Sequence, residues 1–289
     1  MGHLQFMMRV FSTLTGWIVL GCLAMAAPSW AAETPKTSKP KTTAASSETG
    51  SSAKLELLRK TLKEIRTLKR RGQYLEASEK YALILDEIRL STQDRKKITH
   101  DYEKLNTQLL FSRTATPGTT LHNVVEGDSL YTIAKKYGTT SALIRRMNGL
   151  TKDVIYPGMK LKAVTGKFYV RVDKSQNTLR LFLDETPIKT YLVATGKANS
   201  TPTGEFTVKD KLVDPTWYKS GAIIEPGSPD NHLGTRWLGF DLPGYGIHGT
   251  TEPQLIGKQV SHGCVRMRNE DVEELYDILP QGTKVAITD

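Results

Sequence analysis

Three side chains able to do nucleophilic and acid–base chemistry crowd into residues 246–267, GIHGTTEPQLIGKQVSHGCVRM: His248, His262 and Cys264. A cysteine with a histidine is the minimal apparatus for covalent acyl transfer. The imidazole takes the thiol proton or ion-pairs with the thiolate, the sulfur attacks a carbonyl to give a thioester, and the imidazolium then protonates the leaving amine. His262 and Cys264 stand two apart, so an extended chain turns both to one side, whereas His248 must arrive from another strand. Gly263 lets a substrate come close to the backbone, and the amides of Gly263 and Cys264 form a candidate oxyanion site. The same three side chains are zinc-ligand types, but no fourth ligand stands at the short spacing of a zinc knuckle, so no metal is expected. A packed, inert thiol is the other alternative; the histidines and glycines around it weigh against that.

The chain has 2 cysteines, and the other one, Cys22, lies in an uncharged apolar stretch, residues 10–27. Arg9 precedes that stretch and Ser29-Trp30-Ala31 follows it, the layout of a secretory signal with a small-x-small cleavage site over residues 1–32. An uncleaved single-span anchor and lipidation at Cys22 are the alternatives. All three place the rest of the protein outside the cytoplasm, in a periplasm or cell wall. Cleavage leaves Cys264 as the one thiol of the mature chain, unable to form an internal disulfide.

With 289 residues, 38% hydrophobic and 24% charged, the chain is long enough for two or three modules, and neither wholesale disorder nor a polytopic membrane protein fits. The formal charge of +10 suits nucleic acid, an anionic membrane or an anionic wall polymer. Its distribution narrows this. Lys and Arg exceed Asp and Glu by 14 to 9 in residues 53–112 and by 8 to 3 in residues 113–165, while residues 166–289 carry 14 basic against 16 acidic groups. The excess therefore lies outside the module with the thiol, and nucleic acid is not needed to explain it.

Residues 33–52 hold no aromatic or large aliphatic side chain and read as a disordered tether. Residues 53–112 show three amphipathic sets: Leu55, Leu58, Leu62 and Ile65; Tyr74, Ala77, Tyr81, Ile84 and Ile88; Ile98, Tyr102, Leu105 and Leu109. They predict a small helical bundle. Within it GQYLEASEKYALIL, residues 72–85, resembles half a tetratricopeptide repeat, and such a region suits either a spacer or the grip on a protein partner.

After a linker, HNVVEGDSLYTIAKKYGTTSALIRRMNGLTKDVIYPGMKLKAV (residues 122–164) predicts a strand, two helices capped by Asp128 and by Thr140 or Ser141, and a closing strand after Tyr156-Pro157-Gly158. Residues 119–165 resemble a lysin motif, LysM. That resemblance implies binding of N-acetylglucosamine-containing glycan through Gly127, Asp128, Ser129, Leu130, Asn148, Ile155 and Tyr156.

From residue 167 the apolar period becomes two, as in Phe168, Val170, Val172 and Leu179, Leu181, Leu183, and further strands follow, with one helix capped by Asn269. The expected fold is multi-domain α+β: helical region, strand-helix-helix-strand module, and a C-terminal, mainly antiparallel sandwich or barrel. Residues 166–289 resemble the L,D-transpeptidase catalytic domain through ATG (194–196), TPTGEF (201–206), LGTRWLGF (233–240), IHGT (247–250) and SHGC (261–264). The resemblance implies that Cys264 is the nucleophile, His248 its base, and the Gly249 carbonyl the group that orients His248. It implies that His262 and Gly263 shape the oxyanion site, and that Arg266, with Ser261 and Tyr245, meets substrate, Arg266 facing a carboxylate where many relatives have Asn. The implied activity is cross-linking of peptidoglycan without a cofactor: Cys264 displaces D-alanine from a tetrapeptide stem and an amine resolves the thioester. Carbapenem acylation of the same thiol is implied too. Water as acceptor would make the protein an L,D-carboxypeptidase, and a vestigial thiol would leave a wall-binding adaptor. His232, isolated in sequence, reads as a loop residue.

Overall fold

The computed structural model describes residues 45–219 and 221–289, so the expected signal and residues 33–44 of the expected tether lie outside the described residues. Among the described residues no helix is long and apolar enough to cross a membrane. Three helices open the chain: α1 (Ala45–Arg70), α2 (Tyr74–Glu87) and α3 (Thr92–Leu110). α1 begins inside the stretch read as a tether, because an amphipathic helix once nucleated extends through uncharged small residues at little cost per residue. Gly72, at φ 74°, closes it, and Ser91 caps α3 by accepting the Asp94 amide at 3.0 Å. Leu58, Ile65, Ala77, Tyr81, Ile84, Tyr102 and Leu105 bury the inner faces.

α3 then does something its periodicity does not announce. Asn106 Nδ2 donates to the Pro187 carbonyl at 2.8 Å, Thr107 Oγ1 to that of Ile188 at 2.6 Å, and Thr190 Oγ1 to buried Glu103 at 2.9 Å. Burial pushes the Glu103 carboxyl pKa up, against the hydrogen bond from Thr190 and the charge of Arg180. α3 therefore covers a strand of the C-terminal sheet.

The next module pairs β1 (Thr119–Asn123) antiparallel with β2 (Lys160–Val164) around α4 (Leu130–Tyr137) and α5 (Ser141–Met147). Ser129, not Asp128, caps α4, in a reciprocal box with Thr132; Thr140 caps α5. The Asp128 carboxylate is already occupied, accepting the Val125 amide and facing His122 Nε2, both at 2.9 Å, and these bonds hold its pKa down.

The C-terminal module comprises β3 (Phe168–Asp173), β4 (Thr178–Leu183), β5 (Thr186–Leu192), β6 (Thr195–Gly196), β7 (Gly204–Val213), β8 (Trp217–Lys219), β9 (Ala222–Ile224), β10 (Arg236–Phe240), β11 (Gly246–His248), β12 (Gln259–Ser261), β13 (Val265–Arg266), α6 (Asn269–Ile278) and β14 (Lys284–Thr288). Eight strands form one sheet in the order β13-β11-β10-β7-β14-β3-β4-β5. It is mainly antiparallel; β14 with β3 and β11 with β13 are parallel. Val170, Val172, Leu179, Leu181, Val285 and Ile287 fill one face beneath Val272, Leu275 and Ile278 of α6, as the period of two requires. β5 is the edge on which α3 lies, a covered edge being safe from intermolecular pairing.

All three modules share this core. Leu110 of α3 and Leu143 and Met147 of α5 belong to the same buried cluster as the sheet. Glu274 of α6 receives Arg146 from α5 and Lys189 from β5, each at 2.6 Å, and the Tyr191 hydroxyl at 2.8 Å. Burial alone would raise its pKa; the hydrogen bonds from Lys189, Tyr191 and Arg146 bring it below the ordinary value. Lys162 of β2 is fully buried, and its Nζ donates to the carbonyls of Leu109 (2.7 Å), Leu110 (3.2 Å) and Ser112 (3.2 Å) where α3 ends. Burial lowers its pKa to about 8, which still leaves an ammonium at neutral pH to meet the negative end of the helix. Lys162→Met, similar in length but without donors, should strip the Leu110 and Ser112 carbonyls of that partner and cost about 2 kcal/mol of unfolding free energy in a denaturant titration.

Candidate active site

β11 and β13 bring the chemistry together. They run parallel with Ile247 opposite Val265 and His248 opposite Arg266. Ile247 and Val265 are fully buried in the core, so strand alternation turns His248, Arg266 and, just ahead of β13, Cys264 to the other face. On the far side of β11, antiparallel β10 sets Trp237 opposite His248, and the two rings stack at 5.8 Å with 24° between planes. A Cβ on Gly239 or Gly246 would run into the Trp237 indole, so these two glycines give the ring its bed along the sheet.

His248 is buried, and its Nδ1 lies 2.7 Å from the Gly249 carbonyl. A carbonyl only accepts, so Nδ1 carries the proton and Nε2 is left as the basic nitrogen. Burial drives its pKa down to about 4; the Gly249 carbonyl and, more weakly, the Leu233 backbone pull it back up, and the positive charge of Arg266 adds to the fall. At neutral pH the ring is an uncharged base.

Cys264 is half-buried, and its Sγ donates to the Gly244 carbonyl at 3.4 Å. Burial raises the thiol pKa, opposed by the Gly246 amide, which faces the sulfur, and by Arg266. The thiol opens on a cleft of about 290 Å³ walled by Pro215, Trp217, Tyr218, Leu233 and Trp237. β8, paired with β9 in a hairpin, supplies Trp217 and Tyr218 of that wall.

The backbone before the thiol is bent, not extended. Gly263 sits at φ 135° and packs against the Tyr245 ring, so the alternation expected for residues 262–264 fails and His262 stays exposed, without a hydrogen bond or ion pair among the described residues. Buried Ser261 fastens the bend: its Oγ donates to the Cys264 carbonyl at 2.6 Å and accepts the Gly263 amide at 3.1 Å. The Gly263 amide is thus occupied, which leaves the Cys264 amide of the two candidate oxyanion donors.

Arg266 makes one guanidinium hydrogen bond, Nη1 to Glu252 Oε2 at 3.3 Å, and its Nε is buried without a partner among the described residues. A buried donor in that state favours an anionic ligand. His232 is not isolated in space. Its Nδ1 lies 3.4 Å from the same Glu252 oxygen, and its ring meets Trp217 edge-on at 5.6 Å, tying the cleft wall to the partner of Arg266. Neither Glu252 nor its link to His232 has a signal in the sequence. Asn269 is likewise not a cap: α6 starts on it, the capping position is Arg268, and the Asn269 side chain turns toward the Gly249 turn. No group of three or more His, Cys, Asp or Glu suited to a metal occurs among the described residues.

In the other small module the residues named for glycan divide. Gly127, Ser129 and Tyr156 are exposed, and Ile155 and Asp128 partly so. Leu130 and Asn148 are buried: Leu130 packs in the module's core, and the Asn148 amide is spent on the Ile144 carbonyl and on both backbone groups of Lys162. Those two build the loops rather than face a ligand.

A thiol and a tautomer-fixed imidazole thus lie on one sheet face, and comparison with known proteins gives the chain a family. The L,D-transpeptidase catalytic domain model matches residues 167–287, and the LysM domain model matches residues 122–163. The chain is 48% identical over 130 residues to YqjB of Bacillus subtilis strain 168 (43% of this chain, 73% of that one) and 37% identical over 174 residues to YkuD of the same organism (57% and 97%); both are named, provisionally, as L,D-transpeptidases. Among solved structures it is similar to an L,D-transpeptidase from Mycobacterium smegmatis at 17% identity and TM-score 0.38, over 46% of this chain and 64% of that one. The chain belongs to the L,D-transpeptidase family and carries a LysM domain. Neither matched range reaches residues 53–112, where the tetratricopeptide likeness gains no support.

The buried imidazole has a thermodynamic signature. Between about pH 6.5 and about 4 the unfolded chain protonates His248 while the folded one refuses the proton. Stability therefore falls with falling pH through that window by about 1.4 kcal/mol per pH unit and levels below it. His248→Gln should flatten this contribution when unfolding free energies of the two proteins are compared at pH 7 and pH 5.

Proposed function

We propose that the protein is an exported peptidoglycan L,D-transpeptidase acting through Cys264. What carries the reading is the uncharged His248, held in one tautomer by Gly249 on the same sheet face as the thiol, in a chain of this family. His248 Nε2 takes the thiol proton as sulfur bonds to the carbonyl carbon between the third stem residue and the terminal D-alanine. The oxygen, now negative, is met by the Cys264 amide. The C–N bond breaks, the imidazolium gives its proton to the departing amine, and D-alanine leaves a thioester. An acceptor amine then attacks that carbon, His248 removes its proton, and the thiol is restored as the new amide forms. Water in place of the amine would yield a tripeptide.

Arg266, with its buried unpartnered Nε, is the group for a stem carboxylate, and Ser261 serves by holding the bend that presents the thiol. Tyr245, packed on Gly263, supports the same bend. The N-terminal apolar stretch delivers the chain beyond the cytoplasmic membrane, and the LysM domain holds it on wall glycan. Tethering raises local substrate concentration, so weak glycan binding suffices.

Incubation of the protein with disaccharide-tetrapeptide and mass spectrometry of the products tests the chemistry. The expected outcome is a cross-linked dimer with loss of D-alanine and a thioester adduct on Cys264; Cys264→Ala should give neither. Tripeptide alone would assign hydrolysis, and product without an adduct at Cys264 would sink the mechanism. Tyr156→Ala in the full chain should reduce sedimentation with insoluble peptidoglycan while turnover of the soluble substrate stays unchanged; equal loss of both would break the division of labour between the two domains.

A further inference from the structure

Behind His248 the chain turns at Gly249 and Thr250, and the peptide unit joining these residues is engaged at both ends. Its carbonyl, on Gly249, accepts the His248 Nδ1 proton at 2.7 Å, and its N–H, on Thr250, donates to Asn269 Oδ1 at 3.1 Å. In a planar trans peptide these groups point opposite ways, so fixing the N–H fixes the carbonyl. The same Asn269 oxygen accepts the Thr235 amide at 3.3 Å. Two glycines make room for it: a Cβ on Gly234 or on Gly249 would overlap Asn269 Oδ1. Asn269 is the first residue of α6, where a side-chain oxygen could serve its own helix, yet its oxygen goes to amides 19 and 34 residues away.

We propose that Asn269 is a positioning residue of the reaction: it orients and polarises the Gly249–Thr250 peptide so that the carbonyl keeps His248 in the Nδ1–H tautomer, with Nε2 as the nitrogen that takes the thiol proton. Hydrogen bonds in series strengthen one another, so an acceptor on the N–H makes the carbonyl at the other end a better acceptor for the imidazole. Without it the peptide can rotate, Nδ1 loses its fixed partner, and the proton is shared between the two ring nitrogens. The chain of contacts runs from Asn269 through the peptide to the His248 ring. This inference rests on the reading of His248 and Cys264 as the reacting pair.

A mere staple would lower stability and leave the imidazole untouched, so the test reads the imidazole itself. In the full protein carrying Asn269→Ala, nitrogen-15 NMR of the His248 ring should show the Nδ1–H tautomer giving way to a mixture. Thioester formation from disaccharide-tetrapeptide should slow on the order of 10²-fold, with KM little changed. Asn269→Asp keeps an acceptor oxygen: it should retain the tautomer and most of the rate, and its negative charge should move the acid limb of the pH–rate profile upward. A folded Asn269→Ala protein with the wild-type tautomer and profile overturns the proposal, whatever its melting temperature. If that variant does not fold, Asn269→Asp decides alone, and an unmoved acid limb overturns it. The NMR readout needs no turnover, so a tautomer shift without any thioester would fault the assignment of Cys264 and not that of Asn269.

Discussion

The register of one short parallel pairing decides what this protein can present to a substrate. β11 and β13 contribute five residues between them, with Ile247 beside Val265 in the core and His248 beside Arg266 on the opposite face. A slip of one residue in either strand would send the imidazole or the guanidinium into the apolar interior and bring an aliphatic side chain out to the thiol. Two strands this short cannot hold a register by their own hydrogen bonds. It is held from outside, by β10 against β11, by the Ala194 bridge that exchanges both backbone hydrogen bonds with Arg266, and by the Met267 amide on the His248 carbonyl.

Burial then sets the chemistry of the facing groups. It lowers the imidazole and raises the thiol, so each is driven toward its neutral form, and the resting pair is thiol and imidazole. Arg266, nearby and positive, disfavours the imidazolium but favours the thiolate. In the proposed reaction such a pair separates charge only as the sulfur bonds to carbon, when the negative charge is passing to the substrate oxygen. A thiol kept neutral by burial is spared much of the reactivity of a free thiolate.

Much of this was legible in the residue order, and the exceptions share a cause. The alternation of Phe168, Val170 and Val172 and the spacing of Tyr81, Ile84 and Ile88 report burial within one element, which periodicity encodes. His248 and Cys264 stand out in the sequence because few chemistries use that pair, and the structure sets them on one sheet face. The bend at Gly263 was not, since a glycine declares freedom without saying which conformation a neighbouring ring and a serine hydroxyl will select. Glu252 with His232, Asn269 with Gly249, and α3 with β5 are contacts between distant segments whose members look ordinary alone. A polar residue at a helix start reads as a cap for Asp128 and Asn269 alike; Asp128 instead accepts the Val125 amide behind it, and the Asn269 oxygen goes to the amide of buried Thr250, 19 residues away, which would otherwise lack a partner.

β14 follows every other strand in sequence but lies inside the sheet, antiparallel to β7 on one side and parallel to β3 on the other. Until it arrives, β3-β4-β5 and the strands that carry the thiol and imidazole are two separate edges with nothing between them. Partners more than a hundred residues apart must meet to close the gap, a slow step of high contact order. The strands that carry the thiol and imidazole therefore join β3, β4 and β5 in one continuous sheet only once β14 has slid into the middle.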